Sequence, residues 1–229
     1  MSKKRDIATT YNPKTFEEKL YNNWQEKGYF TPRADNNKKT YTIVIPPPNI
    51  TGKLHLGHAL DDTIQDVIIR TKRMQGYNTL WVPGEDHASI ATEVKVEKEL
   101  LKKGILKKKI GREEFLKRTW DWSDEYRERI RNQVKKIGCS VDFTRERFTM
   151  DAGLNKAVKK FFVKLYNDGL IYQGNRIINW CPKCQTAISD AEIEYSEQQG
   201  HLWYVRYKIV GRDKYLEIAT TRPEFIIVS

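Results

Sequence analysis

One stretch constrains this chain more than any other. It is Pro46-Pro47-Pro48-Asn49-Ile50-Thr51-Gly52-Lys53-Leu54-His55-Leu56-Gly57-His58, set directly behind the apolar, β-branched run Tyr41 to Ile45. That run reads as a buried strand. Three prolines stop it, because proline has no N–H to give to a sheet ladder. Beyond the loop, Leu60, Ile64, Val67, Ile68 and Met74 recur at helical spacing, so a helix is expected to begin near His55. His55 and His58 then share one face of its first turn, roughly 5–6 Å apart at Cβ. Gly57 lies between them and leaves room for a flat ligand or a close backbone. A helix N-terminus offers unpaired N–H groups and the positive end of a dipole. Two imidazoles added there suit phosphate oxygens, above all charge developing on a transferring phosphoryl or nucleotidyl group. The plainer alternative is a proline-rich loop with two incidental histidines. Half of the chain's four histidines sit in this stretch, which weighs against it.

Gly76-Tyr77-Asn78 breaks the helix, and Thr79 to Val82 reads as a second strand closed by Pro83-Gly84. Strand, helix and strand make a βαβ unit with parallel pairing and a right-handed crossover. Ligands of such sheets bind beyond the carboxyl ends of the strands. That places His55, His58, Asp86 and His87 on one rim. Asp86 has two readings there: a carboxylate for an ammonium group, or a turn and N-cap residue before the next helix.

Before this unit, residues 1–40 form a polar lead-in with one short helix, its stripe made by Phe16, Leu20 and Trp24 and its end by Gly28. After it, residues 93–138 are helical and charged, with a break at Gly104 and a long amphipathic helix from Glu113. The lysines around Gly104 are read either as contacts for RNA phosphates or as a solvated face. Cys139 is expected to be a small buried residue without chemistry. Another helix starts at Asp151, with Leu154, Phe161, Phe162 and Leu165 inward. Strands are expected at Ile171-Tyr172, Arg176 to Trp180, Leu202 to Ile209 and around Leu216 and Ile218, with a domain boundary near Leu170. Cys181-Pro182-Lys183-Cys184 supplies two thiolates at the spacing of half a tetrahedral zinc site. A redox pair is the rival reading. His201 is the one further ligand candidate nearby, so a complete zinc site is not expected within these residues.

A net charge of +11 on 229 residues suggests a polyanionic partner. The basic start, Met1 to Asp6, lacks the apolar core of a secretory signal, and no apolar run is long enough to span a membrane. Three cysteines make no disulfide framework. The expected location is the cytoplasm, with no membrane partner.

His55-Leu56-Gly57-His58 resembles the His-Ile-Gly-His signature of the class I aminoacyl-tRNA synthetases, and the longer proline block resembles their valine-specific branch. The resemblance continues through Trp81-Val82-Pro83-Gly84-Glu85-Asp86-His87-Ala88, Asn179-Trp180-Cys181-Pro182-Lys183-Cys184 and Ala219-Thr220-Thr221-Arg222-Pro223-Glu224. It implies an α/β fold: the N-terminal half of a Rossmann-like nucleotide-binding domain with helical insertions (41–170), then a zinc-knuckle-like segment and the strand-rich start of an inserted editing domain (171–229). It implies activation of valine by ATP with Mg²⁺, and transfer to the tRNA for valine. His55 and His58 would be catalytic. Pro48, Asn49, Gly52 and Gly57 would join them around ATP. Pro46, Asn49 and Asp86 would hold the amino acid, and Thr220, Thr221 and Arg222 would belong to the editing strand. Editing is needed because a valine pocket cannot strongly reject isosteric threonine, a limit for which enzymes of this specificity are the standard illustration. The sequence departs from the family at Glu85, where threonine is usual, at Ser89, where glycine is usual, and at Phe225, again a usual threonine.

The second half of the nucleotide-binding domain, the Lys-Met-Ser-Lys-Ser loop and an anticodon-binding domain do not occur in these 229 residues. The chain is therefore expected to be an N-terminal portion, inactive alone, with a missing C-terminal portion as a partner. A non-catalytic RNA- or nucleotide-binding module derived from such an enzyme is the alternative, and an unrelated nucleotidyltransferase a third reading.

Overall fold

The computed structural model describes residues 9–33 and 37–228. The basic start of the chain and Asp35 and Asn36 of the polar turn before the first strand lie outside the described residues. The chain divides into two compact units, the first running through Ile171 and the second from Tyr172.

In the first unit, α1 (Glu17–Glu26) leads to β1 (Thr40–Val44), α2 (Leu56–Met74) and β2 (Asn78–Val82). β1 and β2 pair in parallel, from Thr40 opposite Asn78 to Val44 opposite Val82. After Pro83 the chain continues as β3 (Gly84–Glu85), then α3 (Ser89–Lys102), α4 (Lys107–Ile137), β4 (Arg147–Phe148) and α5 (Ala152–Asn167). β3 and β4 are also parallel. Residues 78–86 thus run through the middle of the unit. On one side Ile45 N–H donates to Val82 O (3.0 Å), and the pairing resumes past the prolines where Ile50 N–H donates to Asp86 O (3.0 Å). On the other side Asp142, Arg147 and Thr149 N–H donate to Trp81, Pro83 and Glu85 carbonyls at 2.9, 3.1 and 3.2 Å. The prolines interrupt the ladder at Pro46 and Pro47 but do not end the alignment.

The core gathers on this middle run: Ile45, Ile50, Ile69, Trp81, Ile130, Val134, Cys139, Val141 and Phe148. Burial pushes the Cys139 thiol up to about 12, so it stays an unreactive packing group. A second cluster, Val96, Leu100 and Phe115, joins α3 to α4, which is broken at Gly111 as well as preceded by the break at Gly104. α2 is anchored through polar groups. Asp66 Oδ1 accepts from Ser140 N–H (2.9 Å) and Ser140 Oγ–H (2.5 Å), and Asp66 Oδ2 from Arg70 Nε (2.7 Å), while Arg70 also reaches Gly138 O (2.8 Å).

Several apolar stripes read from the sequence face the open side. Leu60, Ile64, Val67 and Met74 of α2 are exposed, and α5 buries none of its residues. On α1, Phe16 and Leu20 stay exposed, while Tyr21 is buried and donates its hydroxyl hydrogen to Cys139 O (2.6 Å). Periodicity says which residues share a face, not what covers that face.

The second unit holds two antiparallel hairpins: β5 (Asn179–Cys181) with β6 (Thr186–Ile188), and β7 (Trp203–Lys208) with β8 (Tyr215–Thr220). The strand expected at Ile171-Tyr172 does not form, and the one expected from Arg176 begins only at Asn179. Two adjacent apolar residues have no period of their own, so they could not distinguish a strand from an extended linker. No helix among the described residues is long and apolar enough to cross a membrane.

Candidate functional site

His55 is the N-cap of α2, with extended backbone (φ −126°, ψ 178°). Its Nδ1 accepts from Gly57 N–H (3.1 Å), and His58 Nδ1 accepts from His55 N–H (3.2 Å). The two side chains therefore form a reciprocal cap of the kind usually built from serine and glutamate. The ring centroids are 4.0 Å apart and tilted by 52°. Both Nδ1 atoms are spent on backbone donors, so each neutral ring carries its hydrogen on Nε2. Burial, and secondarily the neighbouring His55, hold the His58 imidazole below its usual range, which favours that neutral form. Gly57 is tightly placed: a Cβ there would stand 2.9 Å from His55 Cε1. The space that glycine leaves is taken up by the capping ring.

The loop before the helix is held from a distance. Leu54 N–H donates to Gln133 Oε1 of α4 (3.0 Å), and Trp122 Nε1–H to Ile50 O (2.9 Å). Pro46, Pro48 and His58 line a narrow cavity of about 20 Å³ with Asp62, Glu85 and Arg131, room for about one water. Asn49 is bridged to Asp86, whose N–H donates to Pro48 O (2.9 Å). Gly52 lies in the loop; it and His55 do not line the cavity.

Asp86 and His87 are fixed by a residue outside every motif, Thr149. Its Oγ1 lies 3.1 Å from Asp86 Oδ1, 2.9 Å from His87 N and 2.6 Å from His87 Nδ1. Asp86 Oδ1 also accepts from Ala88 N–H (3.2 Å), so the turn-making role read for it is present in the structure. Ala88 and Ser89 follow at φ +49° and +35°. Left-handed backbone is costly for residues with a Cβ, and this is where the family resemblance expects glycine in place of Ser89. No local signal points to Thr149, because it arrives 62 and 63 residues after the groups it holds.

Glu85, the other departure from the family block, is buried with its carboxyl against Glu146. Glu146 is gripped by Arg131 through Nε (3.0 Å) and a second, shorter contact, while Arg127 Nε stands 3.6 Å from Glu85 Oε2. Burial first, and the Glu146 carboxylate second, push the Glu85 carboxyl up to about 7, against the pull of Arg127 and Arg131. The sign of the consequence is fixed. The folded chain keeps this proton up to about 7, whereas the unfolded chain releases it near its ordinary 4.5. The group's contribution to stability is complete below 4.5 and lost as pH rises towards 7. Glu85→Gln is neutral throughout, so relative to the parent chain it should gain up to about 3 kcal/mol between those limits. Urea unfolding at pH 4.5, 6 and 7.5 reads the difference; a gap that does not widen with pH contradicts the assignment.

In the second unit, Cys181 Sγ accepts from Cys184 N–H (3.4 Å). Backbone N–H groups of Cys184 and Lys183 hold the Cys181 thiol below its usual range, as suits a metal-binding turn. Among the described residues no group of three or more His, Cys, Asp or Glu is placed to hold a metal ion, and Cys181 and Cys184 would supply two of the four ligands of a tetrahedral set. Thr220 ends β8, and its Oγ1 accepts from Arg222 N–H (3.0 Å), with Thr221 between them. The Arg222 guanidinium lies 5.6 Å from the Phe225 ring.

The model of the tRNA synthetases class I (I, L, M and V) matches residues 19–225. The valine–tRNA ligase of Clostridium perfringens (strain 13 / Type A) is 70% identical over 223 residues, 97% of this chain and 25% of that protein. The valine–tRNA ligase of Thermotoga maritima is 55% identical over 97% of this chain and 26% of its own length. The chain thus spans about a quarter of the length of these relatives. Among solved structures, the chain superposes on the LeuRS of a LeuRS–tRNA–LeuAMS ternary complex from Agrobacterium radiobacter K84 with a TM-score of 0.65. That match covers 95% of this chain and 33% of that one at 18% identity, which speaks for the fold alone. The α/β arrangement of helices and small parallel sheets, the capped histidine pair and a family match over almost the whole sequence lead to one assignment: the chain belongs to the class I tRNA synthetases.

Proposed function

We propose that the chain carries the amino-acid-activating site of a valine–tRNA ligase. In that reaction a carboxylate oxygen of valine attacks the α-phosphorus of ATP. The bond to the bridging oxygen of the β-phosphate breaks, and pyrophosphate leaves. One observation carries the chemistry: the reciprocal cap engages Nδ1 of both imidazoles at a helix N-terminus, so each neutral ring turns an Nε2 hydrogen outward that no described residue accepts. Donors fixed in advance lower the barrier where charge builds on non-bridging oxygens. Valine specificity is supported by the name and 70% identity of the Clostridium perfringens relative.

His55 and His58 face the phosphates, with Pro48, Asn49, Gly52 and Gly57 around ATP and its Mg²⁺. Pro46 and Asn49 line the side-chain pocket, and Asp86 receives the substrate ammonium. The β1–α2–β2 unit is the first half of the nucleotide-binding domain. The hairpins from Asn179 onward are the knuckle and the start of the editing domain, with Thr220, Thr221 and Arg222 on its strand. The tRNA for valine is the second substrate.

The test is calorimetric titration with ATP and, separately, with tRNA. His55→Ala with His58→Ala should weaken ATP by roughly tenfold or more, since each removed donor faces a charged oxygen. Unchanged ATP affinity in the double variant sinks the assignment. Binding of tRNA without ATP favours the non-catalytic RNA-binding reading.

A further inference from the structure

Thr149 has more to do than hold a turn. A hydroxyl owns one hydrogen and two lone pairs. Here it meets three groups: His87 N–H at 2.9 Å, His87 Nδ1 at 2.6 Å and Asp86 Oδ1 at 3.1 Å. The backbone N–H occupies one lone pair. A carboxylate oxygen has no hydrogen to give, so the hydroxyl hydrogen belongs to Asp86 Oδ1. His87 Nδ1 must then bring its own hydrogen to the remaining lone pair. The opposite arrangement would leave two oxygen lone pairs facing each other at 3.1 Å. The count closes with a hydrogen on His87 Nδ1, and in the neutral ring Nε2 is then an acceptor.

The same count acts on Asp86. Oδ1 receives Thr149 O–H and Ala88 N–H and lies 3.3 Å from His87 Nδ1, while among the described residues no hydrogen bond reaches Oδ2. The Asp86 side chain is about one-third exposed, enough for an incoming cation to reach the carboxylate. Thr149 is itself tied down, its N–H donating to Glu85 O at 3.2 Å. The backbone immediately after His87 is left-handed at Ala88 and Ser89, a conformation that persists where surrounding bonds over-determine it.

We infer that Thr149 is a positioning residue for recognition of the amino acid's ammonium group: it saturates one oxygen of Asp86, presents the other, and with that carboxylate holds the hydrogen of His87 on Nδ1. The inference rests on the reading of Asp86 as the ammonium ligand, and the test separates the two. Two-bond ¹⁵N–¹H imidazole spectra of the ¹⁵N-labelled chain, with the ring neutral, should show His87 as Nδ1–H. A dominant Nε2–H form in the parent chain overturns the inference without any variant or substrate. Thr149→Val should weaken L-valine by about tenfold, the worth of one hydrogen bond to a charged group, while His87 keeps its Nδ1–H because Asp86 Oδ1, 3.3 Å away, still accepts it. Thr149→Ser should restore the affinity. If Asp86→Asn loses L-valine affinity but Thr149→Val does not, positioning by Thr149 is overturned. If Asp86→Asn binds L-valine as the parent does, the ammonium reading itself falls, and the inference with it.

Discussion

Replacing Trp81 with alanine is expected to lower the unfolding free energy of the first unit by about 4 kcal/mol, the range for truncating a buried tryptophan. Trp81 is fully buried in the middle of the parallel run. Its neighbours belong to β1, α2, α4 and the 139–148 segment, so no single element can collapse into the space it leaves. The indole N–H donates to Gln65 Oε1 of α2 (3.0 Å), and that acceptor would lose its partner. Trp81→Phe separates the two effects. It removes the donor and only part of the volume, so it should cost about 1–2 kcal/mol. Guanidinium unfolding followed by far-ultraviolet dichroism reads both. A loss below about 1 kcal/mol for alanine would mean that this side chain does not organise the core.

Gly84→Ala should be nearly as damaging, for the opposite reason. A Cβ on Gly84 would stand 2.5 Å from the Arg147 carbonyl oxygen, and backbone on a paired strand cannot step aside as a flexible side chain can. Over-packing of this kind costs about 1–3 kcal/mol. The displaced strand leads directly into Thr149, so the larger effect should be on the site. Parallel pairing between 84–85 and 147–148 is what brings the Thr149 hydroxyl to Asp86 and His87. We expect Gly84→Ala to lose about 3 kcal/mol in stability and to lose the ordered His87 imidazole signal together with it. A variant that keeps both would show that the contact is looser than its geometry implies.

The contrast between these glycine and tryptophan positions and the residues they serve explains what could be read in advance. The β1–α2–β2 unit and the helix start at His55 were legible because strand composition, prolines and capping act over a few residues. Asp86 as a turn residue was legible for the same reason. Its partnership with Thr149, the Glu85–Glu146 carboxyl pair and the Gln133 clasp on Leu54 were not. Each joins groups about 60 to 80 residues apart through the alignment of two strands or a helix and a loop. Glu85 illustrates the point: it is adjacent to Asp86 in the sequence, yet its side chain is buried and lines the cavity with Pro46, Pro48 and His58, while Asp86 does not. Strand alternation sends neighbours to opposite faces, and only the partner strand decides what waits there.

The middle run also sets an order of events during synthesis. β1, α2 and β2 can meet as soon as residues 40–82 have emerged, because their pairing is complete within that segment. The opposite edge of the same run cannot be filled then. Asp86 leaves the ribosome 63 residues before the hydroxyl that orients it. At ordinary bacterial and eukaryotic elongation rates that interval is about 3 to 13 s. For those seconds the carbonyls of Trp81, Pro83 and Glu85 form an unpaired edge. The first half of the site therefore waits, with its helix capped, on a strand not yet translated.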